Sequence, residues 1–183
     1  MSLLSMTESF RKSINDMSPA RVESAAGMIL GTINGGGCVY ACGNGGSGAN
    51  ANLFAAAASK LIKANGAAAR FISLNANMSV ITSECLNYNK VFRQQLESMA
   101  YPSDLLIAFS GSGNSPNILE AIDYAKKAGV KTIGLTGMGG GRLSSEADFD
   151  VIVNSDSMEE IESVHTVIIH AVLRWLGEKL NTS

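Results

Sequence analysis

Short apolar runs alternate along this chain with longer amphipathic stretches. The short runs lie near Cys38 to Ala41, Arg70 to Leu74, Leu105 to Phe109, Thr132 to Leu135 and Phe149 to Val153, and predict buried strands. Between them helices are predicted near Gly48 to Lys63, Tyr88 to Met99 and Pro116 to Ala128. Two more open the chain near Glu8 to Asp16 and Pro19 to Ile33, and a long one closes it from Met158 to Leu180. Boundary signals agree with this division. Ser18-Pro19 and Ser115-Pro116 each pair an N-cap residue with proline at the first helical position. Asp156 or Ser157 caps the last helix, with Glu159 and Glu160 in its first turn. Gly35-Gly36-Gly37 and Gly129 end helices. Strands alternating with helices give right-handed βαβ units, hence an α/β fold whose parallel sheet is covered on both faces.

Two connections carry the candidate chemistry. Gly43-Asn44-Gly45-Gly46-Ser47-Gly48 and Ser110-Gly111-Ser112-Gly113-Asn114-Ser115 each join the end of a strand to the start of a helix. Such turns aim backbone N–H groups and the positive end of a helix outward, where an anion is favoured. Small residues let a ligand reach the backbone, and the hydroxyls of Ser47, Ser110, Ser112 and Ser115 can donate to phosphate oxygens. The bland alternative is two tight turns without a ligand. Two serine-bearing loops at the carboxyl ends of strands, where ligands of such sheets sit, favour phosphate instead. Met138-Gly139-Gly140-Gly141 is either a plain loop or one that closes over the ligand.

Composition removes several classes. A chain of 183 residues predicts a single domain, with N-terminal helices over 7–34 and an α/β core over 35–183. Residues 1–6 are expected to be disordered or carried over from cloning. A net charge of −2 argues against a nucleic-acid or anionic-membrane surface. There is no apolar run of about 18 residues and no signal-peptide pattern. The three cysteines lack CxxC or CxxH spacing, which predicts reduced thiols and a cytoplasmic protein.

These motifs resemble the sugar isomerase (SIS) domain family, and within it the phosphoheptose isomerase branch. Cys42-Gly43-Asn44-Gly45-Gly46-Ser47 is similar to that branch's first loop, and Phe109 to Ser115 to its phosphate loop, usually written S-T-S-G-N-S. Leu135-Thr136-Gly137 with Gly140-Gly141, and the helix bearing Ile161-Glu162-Ser163-Val164-His165, also fit. The similarity runs from roughly Phe10 to Leu180. It implies a three-layer αβα sandwich around a five-stranded parallel sheet, a phosphorylated sugar as ligand, and a homo-oligomer, dimer or tetramer, with sites between subunits. By position, Asn44, Gly45, Gly46 and Ser47 contact the sugar, while Ser110, Gly111, Ser112 and Ser115 hold the phosphate. Glu84 and Cys85 stand where the family has further substrate contacts, usually Asn-Asp. Glu162 stands where it usually has glutamine, and His170 matches the late histidine that serves a metal or acts as acid/base.

The same resemblance exposes two departures. The branch carries a histidine metal ligand and a glutamate base on the helix after the first loop, and this chain has Leu53 and Ala57 there. Neither side chain binds zinc or moves a proton, so no zinc or other cofactor is expected and the usual aldose–ketose isomerisation lacks its base. Glu162 and His170, eight positions apart, are the candidate replacements, expected to share a helix face with Glu162 as base and His170 as acid or electrostatic partner. The bland readings are a solvated Glu162 and a packed His170. His165 lies about 140° around the helix from His170, a poor arrangement for shared metal ligation, and is taken as structural. Three functions stay open. The first is a sugar-phosphate-binding protein of the phosphoheptose isomerase type that has lost the chemistry. The second is an isomerase using Glu162 and His170, and the third a non-catalytic interaction scaffold like the branch's replication-initiator-associating relatives. The intact loops favour the first two, and Leu53 with Ala57 favour the first.

Overall fold

The structure, a computed structural model, describes residues 2–66, 68–83 and 87–181. Strands β1 (Cys38–Gly43), β2 (Arg70–Ser73), β3 (Leu105–Ser110), β4 (Lys131–Thr136) and β5 (Phe149–Ile152) form one parallel sheet in the order β2-β1-β3-β4-β5. β1 and β3 are buried along their whole length. Covered on both faces, they need no polar alternation, which is why they read as continuous apolar runs.

Their side chains divide by parity between two cores. Val39, Ala41, Ile107, Phe109, Ile133 and Leu135 pack against α2 (Pro19–Asn34), α3 (Gly45–Ala64) and α8 (Met158–Leu180). Tyr40, Cys42, Leu106 and Ala108 pack against α5 (Arg93–Met99), α6 (Pro116–Lys127) and Leu143 of α7 (Gly141–Glu146). The outcome is the three-layer αβα sandwich with five parallel strands.

Three local readings are corrected. Helix α1 begins at Leu3 and runs to Asn15, capped by the Ser2 hydroxyl accepting from Ser5 N at 3.2 Å. Residues 3–6 are therefore helical, where disorder was expected; Leu3 and Leu4 are exposed, so no core periodicity marks them. The segment from Tyr88 to Met99 splits into a 3-10 turn (Tyr88–Lys90) and α5. Two short helices, α4 (Met78–Ser83) and α7, are additions; α4 buries no residue and so leaves no apolar pattern to read.

The topology creates the crevice that matters. β1 and β3 are neighbours, yet the chain leaves β1 into α3 on one face and leaves β3 into α6 on the other. At such a switch point the two connections diverge and open a space beyond the carboxyl ends of the strands. Both glycine-serine loops stand at its walls.

Candidate functional site

A cleft of about 210 Å³ opens at this switch point. Asn44, Gly45 and Ser47 line it from the first loop, Phe109, Ser110, Gly111, Ser112 and Ser115 from the second, and Met158 and Glu162 from α8. Gly46 lies directly against the Glu162 carboxylate, and a Cβ at that position would collide with it. A larger residue there would push the carboxylate out of its present position. Glu84 and Cys85 fall outside the described residues. A larger groove of about 700 Å³ runs beside α6, but its Lys127 and Arg142 are already paired with Asp123 and Glu146. The smaller cleft has the anion-binding chemistry.

Three helices are capped by a serine hydroxyl, while α5, α7 and the two helices that follow the glycine-serine loops are not. Ser2, Ser18 and Ser157 close the first turns of α1, α2 and α8 with their own hydroxyls. By contrast neither Asn44 at α3 nor Ser115 at α6 makes a side-chain cap bond. The Ser115 hydroxyl instead accepts from Ser110 Oγ at 3.3 Å, which keeps both hydroxyls at the mouth of α6. The Asn44 amide exchanges two hydrogen bonds with Asn117 of α6, 2.8 Å each way, and its Oδ1 also accepts from Tyr88 OH at 3.2 Å. The first turn of α3 thus presents N–H groups with no side-chain partner, the preparation an anion site requires, whereas in α6 Pro116 has no N–H and Ile118 N donates to Asn117 Oδ1 at 3.1 Å.

The Asn44–Asn117 pair fixes one loop against the other across the switch point. Asn117 is 2 % exposed, so its partner cannot be replaced by solvent at no cost. Asn117→Ala should destabilise the fold by about 2 kcal/mol, because the Asn44 amide N–H and the Ile118 N–H both lose Asn117 Oδ1 as acceptor. The corresponding fall in melting temperature is about 4–8 °C. A thermal melt checks it, and an unchanged midpoint would show that the pair carries no stability.

The phosphate-type loop is braced from behind. Gly113 N donates to Ser110 O at 2.9 Å, Gly137 N to Gly111 O at 2.9 Å, Leu143 N to Gly113 O at 2.8 Å and Arg142 N to Asn114 Oδ1 at 3.1 Å. Residues on either side of Met138–Gly141 supply these bonds, while that segment, left-handed at each of its residues, packs against Gly113 through Gly140 O and Gly141 Cα.

Helix α8 does not bring its candidate pair together. Glu162 reaches the cleft, whereas His170 is exposed and absent from the lining. Eight helical positions amount to about 80° of rotation and about 12 Å of rise, so the expected shared face is not realised. Leu53 and Ala57 are half-buried and pack on the core beneath α3. Among the described residues no three His, Cys, Asp or Glu side chains converge where a metal ion could be held. These residues do not fit the zinc that the resemblance brings with it. Cys38 and Cys42 are buried and unbridged.

His165 lies under the cleft floor, fully buried, with its ring edge-on to Phe109 and Nε2 3.3 Å from the Thr136 carbonyl oxygen. Its Nδ1 and the Thr136 hydroxyl find no partner among the described residues. Burial pushes this imidazole down to about 4, with the Thr136 carbonyl opposing the shift. Between about pH 6.5 and 4 the unfolded chain binds a proton at this site that the folded chain does not, so stability rises with pH across that window. Acidification from pH 7 to 4 should therefore cost about 3 kcal/mol through His165 alone. Urea titrations at both pH values, with His165→Gln as control, measure it. A pH slope equal in the two proteins would dismiss the assignment.

Sequence reasoning missed Asn117, Tyr88 and Met158. Asn117 left a usable signal, an amide immediately after a Ser-Pro helix start; the other two left none.

Residues 5–137 match the family model described as SIS domain. The phosphoheptose isomerase of Campylobacter concisus is 38% identical over 159 residues, covering 86% of this chain and 84% of that protein. That of Akkermansia muciniphila is 37% identical over 153 residues, covering 82% and 81%. A solved phosphoheptose isomerase from Neisseria gonorrhoeae superposes with a TM-score of 0.85 at 27% identity over 94% of each chain.

Proposed function

This chain belongs to the SIS domain family, and on that footing we propose that it binds a phosphorylated sugar in the cleft between its two glycine-serine loops. One observation carries the reading: loops entering from opposite faces of the sheet meet in a single cleft beside two helix starts that their N-cap side chains leave open. The phosphate lies against the hydroxyls of Ser110, Ser112 and Ser115 at the start of α6, and the sugar extends toward Asn44 and Ser47. Among the described residues no lysine or arginine lines the cleft, so hydroxyls, amides and helix ends hold the dianion. The family resemblance makes sedoheptulose 7-phosphate the first ligand to try, and with it goes the proposal of a homo-oligomer in the cytoplasm. No helix of the described residues is long and apolar enough to cross a membrane.

A second reading is aldose–ketose isomerisation of that sugar, favoured by the position of Glu162 in the cleft. Such a reaction removes a proton beside a carbonyl and returns it to the neighbouring carbon. Glu162 is the one residue of the lining able to do this, and His170 is placed outside it.

Proton NMR of sedoheptulose 7-phosphate with the purified protein in deuterated water, with and without zinc, tests both readings. Broadened ligand lines support binding, and loss of the exchangeable carbon-bound proton signal supports catalysis. Unbroadened lines across a panel of sugar phosphates would overturn the proposal.

A further inference from the structure

Resting on the sugar-phosphate reading, we infer that Glu162 makes this cleft selective for a ligand bearing a protonated amine as well as a phosphate, an amino sugar phosphate. Among the described residues Glu162 is the one ionisable side chain on the lining. Among the described residues its carboxylate accepts no hydrogen bond and meets no cation. The Asn50 amide donates to the Glu162 main-chain carbonyl at 2.9 Å, and the Asn44 amide donates to Asn117. The positive start of α3, with Gly46 against the carboxylate, is what tolerates the charge.

A phosphorylated ligand changes that balance. It brings a dianion into about 210 Å³ that already holds a carboxylate and contains no basic side chain. Like charges at close quarters in a half-buried site repel more than they do in water. A sugar hydroxyl satisfies the carboxylate as a donor but leaves the charges uncompensated. An ammonium group on the sugar does both, as a charge-assisted donor to an acceptor-only partner. Glutamine, which the resemblance places at this position, has no such preference, since its amide offers donor and acceptor alike.

Isothermal titration of the whole protein and of Glu162→Gln with glucosamine 6-phosphate, glucose 6-phosphate and N-acetylglucosamine 6-phosphate tests this, with sedoheptulose 7-phosphate as reference. The free amine is expected to bind at least about fivefold more tightly than either neutral counterpart. In Glu162→Gln the order should cross over, with the amine weakened and the neutral ligands tightened as repulsion is relieved. That crossover also shows the variant to be folded. Equal or weaker binding of the amine, or a preference that survives in Glu162→Gln, overturns the inference. Binding of sedoheptulose 7-phosphate without glucosamine 6-phosphate overturns it too, and leaves the sugar-phosphate reading standing. If no sugar phosphate binds the unaltered protein, both fall together.

Discussion

Gly113→Ala is expected to weaken phosphate binding by at least about a hundredfold and to lower the melting temperature by about 6–12 °C. Gly113 holds φ at +63°, a conformation that costs an alanine about 1 kcal/mol. More costly is the contact: a Cβ there would overlap the Gly140 carbonyl oxygen and come within 3.1 Å of Gly141 Cα. Both are backbone atoms in a segment whose own φ values are positive, so no side chain can swing aside. Overpacking of this kind adds about 1–3 kcal/mol, giving about 3 kcal/mol in all, concentrated on the loop that bears Ser110, Ser112 and Ser115. Gly139→Ala is the informative control, because Gly139 has φ +73° but no atom within 4 Å of its Cβ position. It should show the conformational cost alone. Should Gly113→Ala melt where Gly139→Ala does and bind phosphate as before, the loop does not depend on its buttress.

The second large effect concerns the isomerase reading. Glu162→Gln should slow deuterium incorporation beside the carbonyl of sedoheptulose 7-phosphate by about two to four orders of magnitude. The amide keeps size and hydrogen bonding but cannot accept the proton. His170→Asn should leave the rate within about threefold, since His170 is exposed and off the cleft lining. Time-resolved NMR on both variants separates them. Equal losses would restore the Glu162–His170 pair as a unit, and an unaffected Glu162→Gln would remove Glu162 from the chemistry.

The layers and the strand runs were legible because central parallel strands are apolar throughout, and three of the candidate helices carried a cap or a stop. Ser18 and Ser157 do cap their helices as expected, whereas Ser115 occupies the N-cap position without making the bond. That exception is not visible in a Ser-Pro dipeptide, because whether a hydroxyl turns to its own helix or to Ser110 is decided by the neighbouring strand end. The two loops could be found from composition alone, yet their convergence follows from β1 and β3 being neighbours, a pairing that no local pattern encodes. Glu162 and His170 show the limit from the other side. Spacing on a helix gives an angle between side chains, and only the helix's neighbours, here α3 and the first loop, decide which of them faces a cavity.

A phosphate site with no lysine or arginine among its described lining residues has no positive side chain to announce it. Approach of the dianion is opposed by the Glu162 carboxylate, and salt, by screening that repulsion, should ease it. Recognition begins only at contact distance, after water has been displaced from the serine hydroxyls and helix ends. Such a protein gives up speed of capture and gains freedom from the nucleotides and polyanions that crowd any basic cleft.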